Sequence, residues 1–514
     1  MRKTKLLCLV FSAVMIASTV LSGCSSSGSS ASSTSSSSGK ADTSKEVKIT
    51  GYLLGAAPAG MKDVMTKLNE KLKKDINATM DINYIGWGDM QSKYPLVLAS
   101  GDDVDWIFTA DWAYYQQEAS KSAFAEIKEA DLKKYMPLHY AKLDKTAYSQ
   151  ADIKGKNYMI PSSTPDKKIQ AAVIRGDLRK KYNIPEIKSV DQLGPYLEAI
   201  KKNEPNMIPF NLDSQYDPGT IFSNMQNAFG YATSINLIES VTFDTLENSP
   251  KLNDLMGPND GESGKKAATM LKDWYDKGYI NKNPFANKVR SKDSLVQGKS
   301  AVGIGNSVDL QSTLTQGKTA GMSLEVIPVL KNGKSAANSY LNNGVAISAS
   351  SKNPERTMMA LDLIMEDKAY DYLVYYGIEG KNYSITSDNK IGLPSGVTTD
   401  NNTYPADSAG FWFTNKDLFL PSATWTDEYL SLKKQIPSML VTSPWATFSF
   451  DQTNVKTEMA TLTQVDQQYF NPIEVGAVKN VDDAIKTLRD KQKAAGWQKV
   501  YDEVQKQANT YFKK

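Results

Sequence analysis

Along residues 46 to 164 the apolar positions switch repeatedly between a period of two and a period near 3.6. "EVKITGYLLG" alternates as a half-buried strand does, whereas "AGMKDVMTKLNEKLKKDI" spaces its apolar residues three and four apart, as on one face of a helix. "ATMDINYIGW" reads as a second strand, "MQSKYPLVLASGD" as a second helix closed by Gly101, and "VDWIFTA" as a short apolar third strand. Further on, "KKIQAAVIRGDLRKKYNI" predicts a strand then a helix, "VDQLGPYLEAIKKNEP" a helix, "NMIPFNL" a strand, and "KKAATMLKDWYDKGYI" a helix ending at Gly278. "SAVGIGNS" and "SLEVIPVL" are short strands. "NNGVAISASSKNPERTMMALDLIME" is a strand, a turn and a long helix with Pro354 near its start, where the first-turn amide has no partner to lose. From about Ser443 the pattern is mainly helical. Strands alternating with helices of this length predict an α/β protein with a parallel sheet covered on both faces.

The N-terminus changes the picture. "MRKTK" supplies three positive charges and "LLCLVFSAVMIASTVL" an apolar stretch interrupted by Ser and Thr, the n-region and h-region of a signal peptide rather than a membrane span. "LSGC" then resembles the lipobox of bacterial lipoproteins. That resemblance implies cleavage before Cys24, a lipidated (palmitate-bearing) thiol, and a protein held on the extracytoplasmic face of a Gram-positive cell membrane. Residues 1–23 are thus expected to be the signal peptide. Residues 24–45, with "SSSGSSASSTSSSSGK", are expected to be a flexible tether that cannot bury apolar surface. About 470 residues follow, too many for one typical core, so two or more lobes are expected.

Composition removes several chemistries. The two cysteines are Cys8 in the leader and Cys24, so the body offers no disulfide, CxxC redox pair or thiolate metal site. The net charge of +3 matches the leader's Arg2, Lys3 and Lys5, leaving a neutral body without the basic field that nucleic acids need. The one histidine, His139, leaves little room for Ser-His-Asp or Cys-His catalysis and reads as a surface or packing residue. "GIGNSV" departs from GxGxxG at Val308, and "NGKS", "QGKS" and "QGKT" lack the first glycine of a phosphate loop. No cofactor and no metal are expected.

The order of segments resembles extracellular solute-binding proteins of family 1, the maltodextrin-binding class that serves ABC importers. The stretches that carry the likeness are "WIFTADWAYY", "IKGKNYMIPSS", "LVQGKSAVGIGNSVDL" and "AISASSKNPERTMMALDLI". The tail from "SPWATFSF" onward resembles the LipO-like branch of Gram-positive binding lipoproteins. The family implies two α/β lobes joined by crossing strands and closing on a solute. Here lobe one would be residues 46–164 and 328–385, and lobe two residues 165–327 and 386–514. It also implies a monomer that hands its solute to permease subunits and is not an enzyme.

In an open α/β sheet, ligands bind beyond the carboxyl ends of the strands. "GWGDM" follows the second strand and "ADWAYY" the third, which brings Trp87, Asp89, Asp111, Trp112 and Tyr115 towards one edge. Aromatic rings cover the C–H faces of sugars and carboxylates accept from paired hydroxyls. The same tryptophans could cap the core of lobe one, and Asp89 precedes a helix as an N-cap would. By family position Asn211, Asp213, Tyr216 and Asn306 face the cleft from lobe two, although "YDPG" is equally a turn. Trp445 and Phe448 occupy a stretch where relatives carry a stacking aromatic. Trp412 and Trp425 lie in a loop-like region, of which at least one is expected to pack. The expected ligand is an oligosaccharide. The rival readings are a peptide or other small solute in the same fold, and a tethered glycoside hydrolase with two acids.

Overall fold

The computed structural model describes residues 42–100, 103–214, 216–232, 241–257 and 262–513. The leader with Cys24, the tether up to residue 41, and Gly101 lie outside these residues. Five strands form the first sheet: β1 (Val47–Leu54), β2 (Ala78–Ile85), β3 (Trp106–Thr109), β4 (Ile160–Pro161) and a late strand, Gly344–Ile347. A second sheet contains β5 (Gln170–Arg175), β6 (Val302–Asn306) and β7 (Leu324–Pro328), so the late strand is β8. The orders are β2-β1-β3-β8-β4 and β6-β5-β7.

Only the amino-terminal part of the first sheet matches the expected parallel arrangement. β1 runs parallel to β2, with Val47 opposite Ala78, and to β3, with Gly51 opposite Trp106. β8 is antiparallel to β3 and β4, and the second sheet is antiparallel throughout. The reason is connectivity: β8 follows the excursion through the second lobe rather than a helix crossover from a neighbouring strand. "NMIPFNL" also falls short of the expected strand. Its strand pairing is limited to the isolated bridges Ile208–Ser300 and Phe210–Ile280.

The helix Met61–Ile76 buries Val64, Leu68, Leu72 and Ile76 at the spacing read from the sequence, and stops at Asn77, whose φ of 50° is left-handed. Each such fully buried aliphatic side chain contributes roughly 1.5–3 kcal/mol. On the sheet, Gly51 is a steric requirement, because a Cβ there would lie 2.3 Å from the buried indole of Trp106. The helix Pro354–Glu366 begins at its proline as expected.

Separate cores mark the lobes. The first gathers β1, β2, β3 and β8 with their helices, and includes Tyr404, Ala409, Phe411 and Phe413, which lie in the stretch expected in lobe two. The second contains Ile174, Leu197, Phe210, Ile304, Phe470 and Leu488. A third core packs the hairpin strands Val241–Phe243 and Leu252–Asp254 against the C-terminal helices Lys456–Val465 and Trp497–Tyr511.

Charge is concentrated where segments cross between lobes. Asp166 pairs with Lys416 at 2.7 Å and Lys168 at 3.0 Å, and Asn338 donates to the carbonyls of Asp166 and Lys168. Burial opposes ionisation of Asp166, but the two lysines hold its carboxyl far below the usual range.

Candidate functional site

Because β1, β2 and β3 are parallel, their carboxyl ends share one edge, and each loop there delivers side chains to the same place. Gly86 leaves β2 and Trp87 opens a single 3-10 turn, Trp87–Asp89. Behind it, Gly55 has φ of 102°, and a Cβ there would sit 3.3 Å from the indole nitrogen of Trp87. After β3 the chain turns sharply: Thr109 Oγ1 donates to the carbonyl of Ala113 at 2.9 Å, and Tyr114 takes a left-handed φ of 61°. The turn is pinned to the segment before β8. The Asp111 amide donates to the Leu341 carbonyl and Trp112 Nε1 to the Asn342 carbonyl, both at 2.9 Å.

A third ring arrives from the far end of the chain. Trp412 stacks on Trp87 with centroids 5.7 Å apart and planes at 19°, and Trp112 lies 6.3 Å from Trp87 at 31°. Phe108 supports both outer rings, edge-on to Trp412 at 5.3 Å and tilted to Trp112 at 5.7 Å. Trp87 is 56% exposed and Trp112 44%, while Trp412 is half-buried. The result is an aromatic platform facing outward at the strand ends.

Two carboxyls flank it. Asp111 is half-buried; burial raises its pKa, against the lowering effects of the Trp112 amide, the Asn342 side chain and Lys168. Asp407, which sequence reasoning missed, offers its carbonyl to Trp412 Nε1 at 3.4 Å and holds a left-handed φ of 68°. Its Oδ1 is buried with no hydrogen-bond partner. Non-glycine residues in that backbone region are uncommon and collect at functional sites, which was not visible in "YPADSAG". Burial pushes the Asp407 carboxyl up to about 6; Lys416 opposes the shift and the charges of Asp166 and Asp309 add to it.

Asp309 belongs to the second lobe, where it pairs with Arg290 at 3.3 Å. The Arg290 guanidinium lies 3.8 Å from the centroid of the Tyr216 ring. Burial raises the Tyr216 phenol, Asp309 adds to this and Arg290 opposes it. Tyr216, Arg290, Asp309 and Asn306 therefore form a polar cluster on lobe two, and the Asp309 charge contributes to raising the Asp407 carboxyl.

Other residues singled out in the sequence have hydrogen-bonding or packing partners within the chain. Asp89 does not cap: its carboxylate pairs with Lys93 at 2.8 Å in solvent and accepts no helix amide. Tyr115 is buried, donating to the Ala151 carbonyl and accepting from the Tyr158 amide at 3.2 Å. Trp445 is buried in the third core, stacked on Phe243 at 3.9 Å with its indole N–H on the Glu247 carbonyl. Asn211 donates to Ser294 Oγ at 2.9 Å, Asp213 accepts from the amides of Tyr216 and Asp217, and Asn306 accepts from the amides of Val308 and Asp309. Trp425 packs edge-on against Tyr429 at 5.0 Å. His139 is a packing residue, fully buried with Nδ1 3.0 Å from Glu366.

Beside the platform, and sharing only Trp112 with it, is a cleft of about 2470 Å³ lined by Asp111, Trp112 and Tyr114 together with Phe448, Gln452 and Tyr511. Among the described residues, no group of His, Cys, Asp and Glu could hold a metal ion, and no helix is long and apolar enough to cross a membrane.

Residues 67–369 match a family described as bacterial extracellular solute-binding protein, and residues 444–513 match one described only as a domain of unknown function. A carbohydrate ABC transporter substrate-binding protein of Streptococcus pneumoniae serotype 4 is 26% identical over 482 residues, 92% of each chain. The polygalacturonan/rhamnogalacturonan-binding protein YtcQ of Bacillus subtilis strain 168 is 27% identical over 392 residues, 74% of each. The solved N-glycan transport solute binding protein NgtS of Streptococcus pneumoniae superimposes with a TM-score of 0.75 at 24% identity, covering 91% of this chain and 99% of that one. NgtS is also solved in complex with Man1GlcNAc and with Man5GlcNAc. At this identity the likeness to NgtS establishes the two-lobed fold.

Proposed function

Because the chain belongs to the bacterial extracellular solute-binding proteins, we propose that it captures an oligosaccharide between its lobes and delivers it to the permease of an ABC importer. The observation that carries this reading is the platform of Trp87, Trp112 and Trp412, two of whose rings stand in solvent where a core would hide them. Sugar rings stack on such surfaces through their C–H faces, and the neighbouring Asp111 and Asp407 are suited to accept from their hydroxyls. The relatives named for carbohydrate, polygalacturonan and N-glycan support the same class.

Binding works as a population shift. A solute that touches the platform and the Tyr216–Arg290–Asp309 cluster together favours the closed state by its differential contacts, with the crossing segments around Asp166 as the hinge. Lobe one is residues 46–164 and 328–385 with the added strip Tyr404–Phe413, and the rest of the body is lobe two. The protein binds without turnover and without a cofactor. It works as a monomer after removal of residues 1–23, anchored by lipid on Cys24 and reaching its permease on the tether of residues 24–45.

A thermal-shift panel of oligosaccharides and peptides tests the reading, since a solute that binds only the folded state raises its melting temperature. An oligosaccharide is expected to do so. A shift with peptides alone would replace the saccharide by a peptide, and shorter sugars appearing during hours of incubation would restore the hydrolase.

A further inference from the structure

We propose that the C-terminal segment, residues 444–513, is the far wall of the solute cleft and reads the distal units of a neutral oligosaccharide. This rests on the saccharide reading above and extends it to a segment whose family has no described role.

The size of the cleft calls for such a wall. Small-molecule pockets run to about 300–1,000 Å³, and the cleft here is about 2470 Å³. A sugar stacked on Trp112, the one platform ring that lines it, leaves most of it unfilled. The opposite side is built from Phe448, Gln452, Lys456, Glu503, Lys506 and Tyr511, all from the C-terminal segment.

That side is fixed in place. Phe448 stands edge-on to Phe243 at 5.8 Å and to Trp445 at 5.1 Å. Tyr511 donates to the Pro444 carbonyl at 2.8 Å, and Gln507 to the Asp451 carbonyl at 2.9 Å. Two ties then cross to the first lobe: Gln116 Nε2 donates to Ser449 Oγ, and Lys154 pairs with Asp451 at 3.3 Å. A wall already ordered loses little entropy when a ligand arrives.

Its charge selects the class of saccharide. Seven lysines and seven carboxylates line the cleft, so it has no surplus of positive charge with which to hold a polyanion such as oligogalacturonate. The mixed amide, ammonium, carboxylate and hydroxyl groups suit many uncharged hydroxyls instead. Phe448, Tyr114 and Tyr511 add apolar faces for sugar rings.

The test uses the full chain and a double variant, Gln452→Ala with Lys456→Ala, whose side chains leave the third core intact. Titration calorimetry is run with neutral glucose- and mannose-built oligosaccharides of two and five units, with trigalacturonate as the acidic probe. The parent is expected to gain about tenfold or more in affinity, ~1.4 kcal/mol, on going from two units to five, and the variant to lose most of that gain. An equal gain in parent and variant overturns the inference while leaving the saccharide reading in place, as does tighter binding of trigalacturonate than of any neutral probe. Failure of the parent to bind any saccharide overturns both. Phe448→Ala, checked for folding by its melting temperature, should reduce the same gain.

Discussion

Trp87 and Trp412 stack at 5.7 Å although one follows β2 and the other comes from a loop more than three hundred residues later. The contact is held from below by Phe108 and from the side by Asp407, whose carbonyl receives the indole N–H of Trp412. A stacked pair left open to solvent has one face satisfied and one available, and this asymmetry is what a sugar can use.

Replacing either exposed ring should therefore separate binding from stability. Trp87→Ala and Trp112→Ala are each expected to weaken oligosaccharide affinity by roughly 1–3 kcal/mol, with little change in the melting temperature of the free protein. Calorimetric titration alongside thermal melts checks this. A sharp fall in the free protein's melting temperature with unchanged affinity would return Trp112 to the core.

Asp407 makes stability depend on pH in a defined direction. Its folded value of about 6 lies above the ordinary 3.8, so between roughly pH 4 and 6 the folded protein keeps a proton that the unfolded chain has released. The stability contributed at acid pH is lost as pH rises through that window. Asp407→Asn should melt higher than the parent at pH 7, and the difference should shrink towards pH 4. A difference that does not vary with pH would show that this carboxyl does not titrate there.

The buried Glu366 behaves oppositely. Burial opposes its ionisation, but His139, Ser163 and Lys142 hold its carboxyl below the usual range. Its stabilisation is present above about 4.5 and disappears as pH falls through the lower folded value. Glu366→Ala leaves His139 and the Asn415 amide without their acceptor, and a loss of about 3–5 kcal/mol is expected in urea unfolding at pH 7. Glu366→Gln should cost less.

Membrane attachment is tested at one atom. Cys24→Ser is expected to move the protein from the membrane fraction to the medium with its fold and ligand affinity intact. Full retention in the membrane would remove the lipid anchor from the proposal.

What could be read from the sequence follows from how local each signal is. The spacing of Val64, Leu68 and Leu72 already contains the helix, because periodicity and burial share a cause there. The aromatic run after β3 was only half legible. Trp112 points out, Tyr114 stacks half-buried on Tyr94 at 5.0 Å, and Tyr115 turns into the core. The left-handed φ at Tyr114 resets the alternation, so no periodicity could sort these rings. Trp412 and Trp445 look alike as loop tryptophans. They differ only in their distant partners, the exposed Trp87 in one case and the buried Phe243 in the other. Asp407 carried no signal, since its position depends on a backbone conformation that "PADSAG" shares with many turns.

The late strand β8 also sets an order of events in the life of the molecule. It lies between β3 and β4, yet is synthesised only after the whole of the second sheet. The first core then waits for Tyr404 and Phe413, and the second for Phe470 and Leu488. A chain of an extracellular family that emerges amino-terminus first thus completes its first core only after Phe413 and its second only after Leu488. Its assembly depends on pairings distant in sequence, which are slow to form. The C-terminal helices are the last pieces laid into the second and third cores.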